Sequence, residues 1–531
     1  VTLKNISSPM TIYCVQLPWV MEKNIEVVSK RESLQSSKRK LLKYAVPLAV
    51  LLVLVILSVL NVINIKIEDS EIQTRIAVLP FLNIGGDSSD EYFADGMTEQ
   101  IISSLSNLSG LNVIARSSVM KYKDAGIDIR EIGDELNVGT VLEGSIRKSM
   151  DKARITVNLI DVSTQENIWA MDYDKELSDI FMVQSEIAKN IAQNLQVKLK
   201  KEERDRLDKK NIVNTEAYNA YLLGRSYLNR RNIDGVAKSI SYFEDAISYD
   251  STFSLAYSGL ADAYTLIGSA GYGMMPVDEA VEKAKFNVMK AIELDEYLAE
   301  ARASLAYIKF RLEWKFDEAE QEFKRAIELG PSYAQAHEWY ALYLALRGRT
   351  AEALNEMQRA QELNPLSASV SNGIGRVYYF MNDLKKAINQ FNKTLQMDPN
   401  YAEAHFSLGM TYSAMKENDK AIREMEIAAS LSNRRLVIIS RMAYTYVKKG
   451  AMDKALQIIN ELDERSKTEE VSSFYYIPYY AALNDVKKVN ELLEEAYKEK
   501  FGLLLYLKAD HVFVELRNTP KFLEMLKKIG L

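Results

Sequence analysis

The sequence is poor in the residues that hold metals and form disulfides. Among its 531 residues are a single cysteine, Cys14, and three histidines, His337, His405 and His511. One cysteine excludes an internal disulfide and a thiol cluster for a structural metal. The three histidines lie far apart in the sequence. We therefore expect no metal site and no cofactor.

Glycine, proline and an excess of positive charge are also scarce. The chain has 22 Gly and 10 Pro against 30 Tyr, which favours a helix-rich protein packed with aromatic side chains. It carries 67 Lys and Arg against 73 Asp and Glu. A nucleic-acid-binding protein would show a basic face, so we expect no nucleic acid among the partners. The length suggests about three or four structural units.

One long hydrophobic run interrupts this otherwise polar sequence. No charged residue stands between Lys43 and Lys66. About 20 helical residues cover the roughly 30 Å hydrocarbon core of a bilayer. Pro47 falls in the first turn, where its missing N–H costs little. The sequence therefore predicts a transmembrane helix over residues 44–65.

Two other interpretations of this run are less suitable. A buried core helix would carry a polar stripe, but the run has only Ser58, Asn61 and Asn64. A cleaved signal peptide would lie near the start and end in a small-residue cleavage site. More than forty residues precede this run, and no such site follows it.

Charges beside the run predict its orientation. Most of the charged residues between positions 30 and 43 are Lys or Arg, whereas acidic residues are mixed with basic ones after residue 66. Basic flanks stay on the cytoplasmic side. We expect a single-pass protein of the cytoplasmic (inner) membrane, with its N-terminus inside and its C-terminal domains extracytoplasmic.

Residues 1–20 alternate polar and apolar positions like the end of a β-sheet, and residues 21–43 form a basic juxtamembrane segment. The first stretch resembles the last strands of class III adenylate and guanylate cyclase domains. The matching residues are Leu3, Lys4, Pro9, Tyr13 and Val15, with Asn5 replacing the usual Gly. The resemblance implies the tail of an upstream cyclase-like domain, without its catalytic residues. Alternatively, Val1 begins a short tail with no function of its own.

The pattern of apolar and turn residues over 74–199 predicts a small α/β domain with the element order β-α-β-α-β-β-α. Asp95 or Thr98 is the expected N-cap of its first helix, 97–110, and residues 153–174 are expected to form one strand. The stretches AVLPF (77–81), FADGMT (93–98), ARSS (115–118) and LEGSIR (142–147) resemble the amino-terminal domain of TolB. This resemblance implies a non-enzymatic domain of a cell-envelope protein. A charged connector, 200–214, follows.

Prolines 331, 365 and 399 recur every 34 residues. Small residues recur in the same register at Ala341, Gly375, Gly409 and Ala443. This is the period of the tetratricopeptide repeat, a pair of helices that stacks into a solenoid. We expect seven to eight units over residues 215–500, closed by a C-terminal cap at 501–531. The predicted fold is α+β, mostly α.

The first helices of such repeats line a concave groove. Aligned on the small-residue column, nine residues are predicted to face it: Glu338, Leu342, Asn372, Arg376, Tyr379, Phe406, Met410, Tyr444 and Lys448. Aromatic and Met side chains beside Asn and Arg suit an extended peptide or a partner helix. Each side chain can instead pack against neighbouring helices.

These features predict a non-catalytic, membrane-anchored module that binds a protein or peptide partner. We expect it to be the sensory half of a transmembrane signalling protein such as a receptor adenylate cyclase. The alternative is a cell-envelope scaffold or assembly factor without signalling. An enzyme within these residues is disfavoured because we find no catalytic triad, metal-ligand spacing or phosphate loop. Homodimer formation stays open.

Overall fold

The computed structural model describes residues 72, 74–85, 90–123, 125–149, 152–208, 214–230, 232–270 and 275–531. The predicted transmembrane helix, 44–65, the juxtamembrane segment and the cyclase-like tail lie outside the described residues. Within them, no helix is both long and apolar enough to cross a bilayer. Residues 70–531 form one compact unit.

A mixed six-stranded sheet organises the first part of this unit. Its strands are β1 (Arg75–Val78), β2 (Leu82–Asn83), β3 (Asn112–Val113), β4 (Thr140–Ser149), β5 (Lys152–Asp161) and β6 (Asn167–Glu176). Their order is β3-β1-β4-β5-β6, with β2 pairing with β4 beyond the end of β1. Strand β1 runs parallel to β3 and β4, whereas β4, β5 and β6 form an antiparallel meander.

Alternate residues of β5, at positions 155, 157 and 159, are fully buried, as expected for a strand with one face in the core. The sheet corrects one prediction: residues 153–174 form two strands. They separate at a turn, where Asp161 Oδ1 accepts hydrogen bonds from the backbone N–H groups of Ser163 and Thr164. The hydrophobic pattern does not reveal this turn, because the Asp161 side chain forms it through local hydrogen bonds.

In the described part of the chain, five α-helices of four or more residues accompany the sheet: α1 (Glu91–Ser106), α2 (Arg116–Val119), α3 (Ile129–Leu136), α4 (Ile180–Asn194) and α5 (Lys201–Asp208). The predicted N-caps of α1 are wrong because the helix begins at Glu91. Asp95 and Thr98 lie inside it, and the Thr98 hydroxyl accepts a hydrogen bond from the backbone N–H of Phe81. The helix is therefore tied to the end of β1.

Seven regular helix pairs follow within the described residues. They are α6 (Thr215–Leu228) with α7 (Ile233–Tyr249), α8 (Ser254–Ala270) with α9 (Val277–Leu294), α10 (Ala299–Arg311) with α11 (Phe316–Leu329), α12 (Ala334–Leu346) with α13 (Thr350–Leu363), α14 (Ala368–Phe380) with α15 (Leu384–Met397), α16 (Ala402–Ala414) with α17 (Asn418–Leu431), and α18 (Leu436–Lys449) with α19 (Met452–Arg465). A shorter pair, α20 (Ile477–Ala482) and α21 (Val486–Lys498), completes the stack. The described residues thus hold eight helix pairs, against the seven to eight units expected from the sequence.

The small-residue column lets the two helices of each unit pack closely. A Cβ built on Gly375 would lie 2.3 Å from Cε1 of Phe391, on the second helix of the same unit. The equivalent atom on Gly409 would lie 2.5 Å from Cγ of Met425. Only small residues let the paired helices approach this closely.

The C-terminal cap, residues 501–531, is built of two 3-10 turns, Gly502–Tyr506 and His511–Phe513, and helix α22 (Pro520–Ile529). Its apolar side chains share a core with α10 to α12 and α20 to α21. Leu504, Leu505 and Phe513 are fully buried there. The cap therefore packs against units distant in sequence as well as against the last helix pair.

Candidate functional site

The first helices of the later units present the nine predicted groove residues. Pairs four residues apart lie on one face of a helix. This spacing places Asn372 above Arg376 on α14 and Phe406 above Met410 on α16. Seven of the nine line one cavity of about 410 Å³: Glu338, Leu342, Asn372, Arg376, Tyr379, Phe406 and Met410. Tyr444 and Lys448 lie outside the cavity lining.

The cap occupies this groove. The Tyr506 hydroxyl accepts a hydrogen bond of 3.0 Å from Nη2 of Arg376. The ring of His511 lies 4.7 Å from that of Tyr379, and its backbone N–H donates to the Tyr379 hydroxyl over 3.4 Å. Lys448 Nζ lies 3.7 Å from a carboxylate oxygen of Glu515. Groove residues predicted to bind a partner thus contact the chain's own C-terminal segment.

A buried ion pair fixes the cap in place. Arg441 Nη2 lies 2.6 Å from Asp510 Oδ2, and the two side chains are only 5% and 4% exposed. Asp510 also accepts a backbone hydrogen bond from Val512. The guanidinium lies between the rings of Phe474 and Phe513, at 5.9 and 5.6 Å from their centroids. The pair is sequestered from solvent, so ionic screening affects it little.

Sequence reasoning missed Arg441 and Asp510, although the repeat alignment contains a signal for the first. Positions 339, 373, 407 and 441 are equivalent, since they are 34 residues apart, and they hold Trp, Gly, Ser and Arg. An arginine where the other units carry uncharged residues indicates a local partner. Nothing in the repeat pattern indicates Asp510, because the cap lies outside the repeats.

A second cap residue, Tyr506, sits between two cations. The guanidiniums of Arg376 and Arg311 lie 5.4 and 5.5 Å from its ring centroid. Burial opposes ionisation of the Tyr506 phenol, but the two guanidiniums outweigh burial and lower its pKa. Among the described residues, neither arginine has a carboxylate within 4 Å. This part of the site therefore carries an excess of positive charge.

The concave face of the first three units is filled by the α/β domain. Arg225 and Asp262 occupy the repeat position of Leu342 and Arg376, and they pair with each other at 3.3 Å. Glu99 of α1 accepts a 2.7 Å hydrogen bond from Nε of Arg225. Gln100, one residue on, donates to the Tyr221 hydroxyl. Helix α1 thus lies where a partner helix would bind in an open array.

Glu99 is the centre of this contact. It also lies 3.4 Å from Nε of Arg116 and accepts from Asn229. Burial raises the pKa of its carboxyl, but Arg225 and Arg116 outweigh burial, so the pKa is lowered overall. Asp95, Glu99, Arg116, Glu143 and Arg147 do not form a single polar cluster. The structure joins only Glu99 and Arg116; Asp95 pairs with Lys123 instead.

No group of three or more His, Cys, Asp or Glu side chains able to hold a metal ion occurs in the described part of the chain. His337 and His405 make equivalent contacts, from Nδ1 to Glu356 at 2.6 Å and to Glu424 at 2.7 Å. Each glutamate lies on the second helix of the same unit. These histidines tie paired helices together.

Family comparisons identify the two folded parts. Residues 315–368, 375–416 and 402–434 match tetratricopeptide repeat models. The chain therefore contains tetratricopeptide repeats, a protein-interaction fold, as its 34-residue period predicts. Residues 72–192 match the model of the second domain of HilA/YgeH-like transcriptional regulators. The resemblances to TolB and to a cyclase tail are not covered by these matches and stay predictions.

A curated relative from Rhizobium meliloti (strain 1021), named "Putative adenylate cyclase 3", is 40% identical over 186 residues, or 35% of this chain. The chain spans about a third of that relative, 32% of its length. Two solved repeat proteins are also similar. YrrB, described as having an unusual peptide-binding site, is 23% identical over 37% of this chain and 95% of its own, with a TM-score of 0.27. The thermophilic repeat protein TTC0263 of Thermus thermophilus is 19% identical over 35% and 99%, with a TM-score of 0.31.

Proposed function

We propose that this chain is the sensory half of a membrane-anchored signalling protein, whose repeat groove binds a protein segment when the cap leaves it. The observation that carries the proposal is the occupied groove. Tyr506 and Asp510 of the cap fill positions that a partner would use. A partner must therefore compete with an intrachain occupant, which makes its binding conditional.

An adenylate or guanylate cyclase domain is the proposed output. Three points support it: the name of the 40% identical relative, the cyclase-like pattern of residues 1–20, and the predicted span at 44–65. In this arrangement the cyclase lies on the cytoplasmic side and precedes residue 1. The repeats and the α/β domain lie on the other side of the membrane and contribute binding, without catalysis.

A peptide supplied in trans tests the groove. A synthetic peptide of residues 500–517 is titrated into a chain that ends at residue 500, with binding followed by calorimetry. We expect saturable binding, and binding at least about tenfold weaker to the intact chain, because the tethered cap has an effective concentration in the millimolar range. A peptide carrying Asp510→Asn is the matched control and should bind less tightly.

The cap shares a core with several helices, so the shortened chain must first show the helical circular dichroism of the intact chain. If it does not, Asp510→Ala in the full chain is the alternative, since it loosens the cap without removing it. Equal affinity of the peptide for intact and loosened chains would rule out competition for the groove.

The coding sequence upstream of the Val1 codon separates signalling from the scaffold alternative. A cyclase domain with its metal-binding aspartates, continuous with VTLKNISSP, supports the signalling role. An unrelated upstream sequence favours a cell-envelope scaffold or assembly factor.

A further inference from the structure

The cavity between the cap and the groove contains a buried acceptor without a partner. Asn372 is only 5% exposed, and its Oδ1 makes no hydrogen bond among the described residues. Buried polar atoms in native proteins are almost always paired, and exceptions point to a missing partner. Glu338, on the neighbouring helix α12, lines the same cavity. Its carboxylate oxygens accept hydrogen bonds from Gln335 and Ser369 and bring a negative charge to the cavity.

One helical turn from Asn372, the cavity contains a cation that no carboxylate of the described residues approaches within 4 Å. Arg376 instead contacts the Tyr506 hydroxyl and the rings of Tyr506 and Phe380. The guanidinium of Arg311 places a second positive charge over the ring of Tyr506. Glu403 also lines the cavity, but Arg435 holds it through two hydrogen bonds. Both guanidiniums are half-buried, and cations withdrawn from water are usually paired with an anion.

The remaining surface of the cavity is largely apolar and aromatic. Trp339, Leu342, Phe406 and Met410 contribute to it from two helices, and Leu503 closes it from the cap. Its volume of about 410 Å³ lies within the range of roughly 300–1,000 Å³ for small-molecule sites. A long extended peptide would collide with the cap residues that close the cavity.

We propose that this cavity binds a small zwitterion of the amino-acid type with an apolar or aromatic side chain. Its carboxylate pairs with Arg376, and its ammonium donates to Oδ1 of Asn372 and to the carboxylate of Glu338. Its side chain packs among Phe406, Met410 and Trp339. Because Tyr506 and Asp510 of the cap also line the cavity, the ligand holds the cap on the groove. Only the regulatory role of the ligand rests on the proposed sensory function; its binding to the cavity does not.

Titration calorimetry on the full-length chain tests the inference with defined probes. L-Phenylalanine, L-leucine and L-methionine are compared first. Two truncated probes follow: 3-phenylpropanoate, which lacks the ammonium, and phenethylamine, which lacks the carboxylate. We expect at least one amino acid to bind, and each truncated analogue of phenylalanine to bind at least about tenfold more weakly than phenylalanine or not at all.

Arg376→Gln should weaken binding of the amino acid at least about tenfold, whereas the exposed Arg423→Gln serves as the matched control and should leave it unchanged. The comparison of probes on the unaltered chain does not depend on how the variants fold. Absence of binding by all three amino acids at low millimolar concentration overturns the inference. So does a phenylpropanoate affinity equal to that of phenylalanine.

Failure here is distinguishable from failure of the proposed function. The trans-peptide measurement reports whether the groove accepts a segment, and it needs no small ligand. If the groove binds the peptide and the cavity binds the amino acid, the amino acid should weaken peptide binding to the intact chain further, because it stabilises the closed cap.

Discussion

Arg441 and Asp510 illustrate how much a single contact contributes to the closed site. Both side chains are almost fully buried, and each is the other's charge partner. Removing one member of such a pair leaves an uncompensated charge in a medium of low polarity. The ion pair is therefore expected to decide whether the cap stays on the groove.

Asp510→Ala should lower the free energy of unfolding by about 3–5 kcal/mol, or release the cap locally, because the Arg441 guanidinium loses its buried partner. Urea unfolding followed by circular dichroism measures the first outcome, and amide hydrogen exchange of residues 502–513 measures the second. Glu515→Ala is the control within the same segment. Its 63% exposed carboxylate forms a surface pair worth about 0–1 kcal/mol. Equal effects of the two variants would contradict a special role for Asp510.

Glu99 predicts a dependence of stability on pH. Its pKa in the folded chain lies below the ordinary value of 4.5, since Arg225 and Arg116 overcome the effect of burial. The stabilisation is therefore fully present above the ordinary pKa and is lost as the pH falls through the folded pKa. Urea unfolding of the wild type and of Glu99→Gln should differ most near neutral pH. We expect the difference to shrink as the pH falls from about 5 toward 3. A difference independent of pH would show that the carboxylate charge is not what stabilises this contact.

At the scale of helices and strands, two glycines of α14 allow the effect of close packing on stability to be measured apart from the effect of helix propensity. A Cβ on Gly375 meets the rigid ring of Phe391 at 2.3 Å, whereas a Cβ on Gly373 meets the flexible end of Met357 at 2.7 Å. Both substitutions to alanine gain the same helix propensity, about 1 kcal/mol. Their difference therefore isolates the packing term.

Gly375→Ala should be less stable than Gly373→Ala by about 1–3 kcal/mol, because Phe391 and its helix must move to admit the extra methyl group. Thermal and urea unfolding of the two variants measure the difference directly. If both variants show the same stability, the small-residue column is not needed for the approach of the two helices.

Most helices and strands could be predicted from the sequence because their causes are local. The 34-residue period and the alternation in β5 each reflect packing of adjacent residues or adjacent helices. One error has a side-chain cause, and the other is a misplaced helix start. Asp161 makes a turn inside an apolar-polar alternation, and α1 begins at Glu91, six residues before the predicted start.

At the scale of the whole molecule, the α/β domain and the repeats form a continuous body. Backbone N–H of Ala115 donates to the Leu363 carbonyl over 2.7 Å, and Arg75 Nη2 donates to the Glu362 carbonyl. The hydroxyl of Ser332, in an earlier repeat loop, donates to the Leu111 carbonyl. These bonds join the ends of strands β1 and β3 to the repeats.

The single cysteine provides a test of the predicted membrane topology. With residues 44–65 in the membrane and the N-terminus inside, Cys14 should react with a membrane-impermeant maleimide only after intact cells are permeabilised. The matched control is Lys393→Cys in a Cys14→Ser background, because Lys393 is exposed on the second helix of the fifth unit. That cysteine should react once the outer envelope alone is permeable to the reagent. The reverse pattern would overturn the orientation.

The sequence by itself determined the repeat fold and the register of its small-residue column. Those properties follow from spacing along the chain, which is visible in one dimension. Only the tertiary structure decided what fills the groove, because Arg441 and Asp510 are 69 residues apart and Glu99 and Arg225 are 126 apart. Pairs at such separations follow no period, and their energies depend on burial, which appears only when the chain closes on itself.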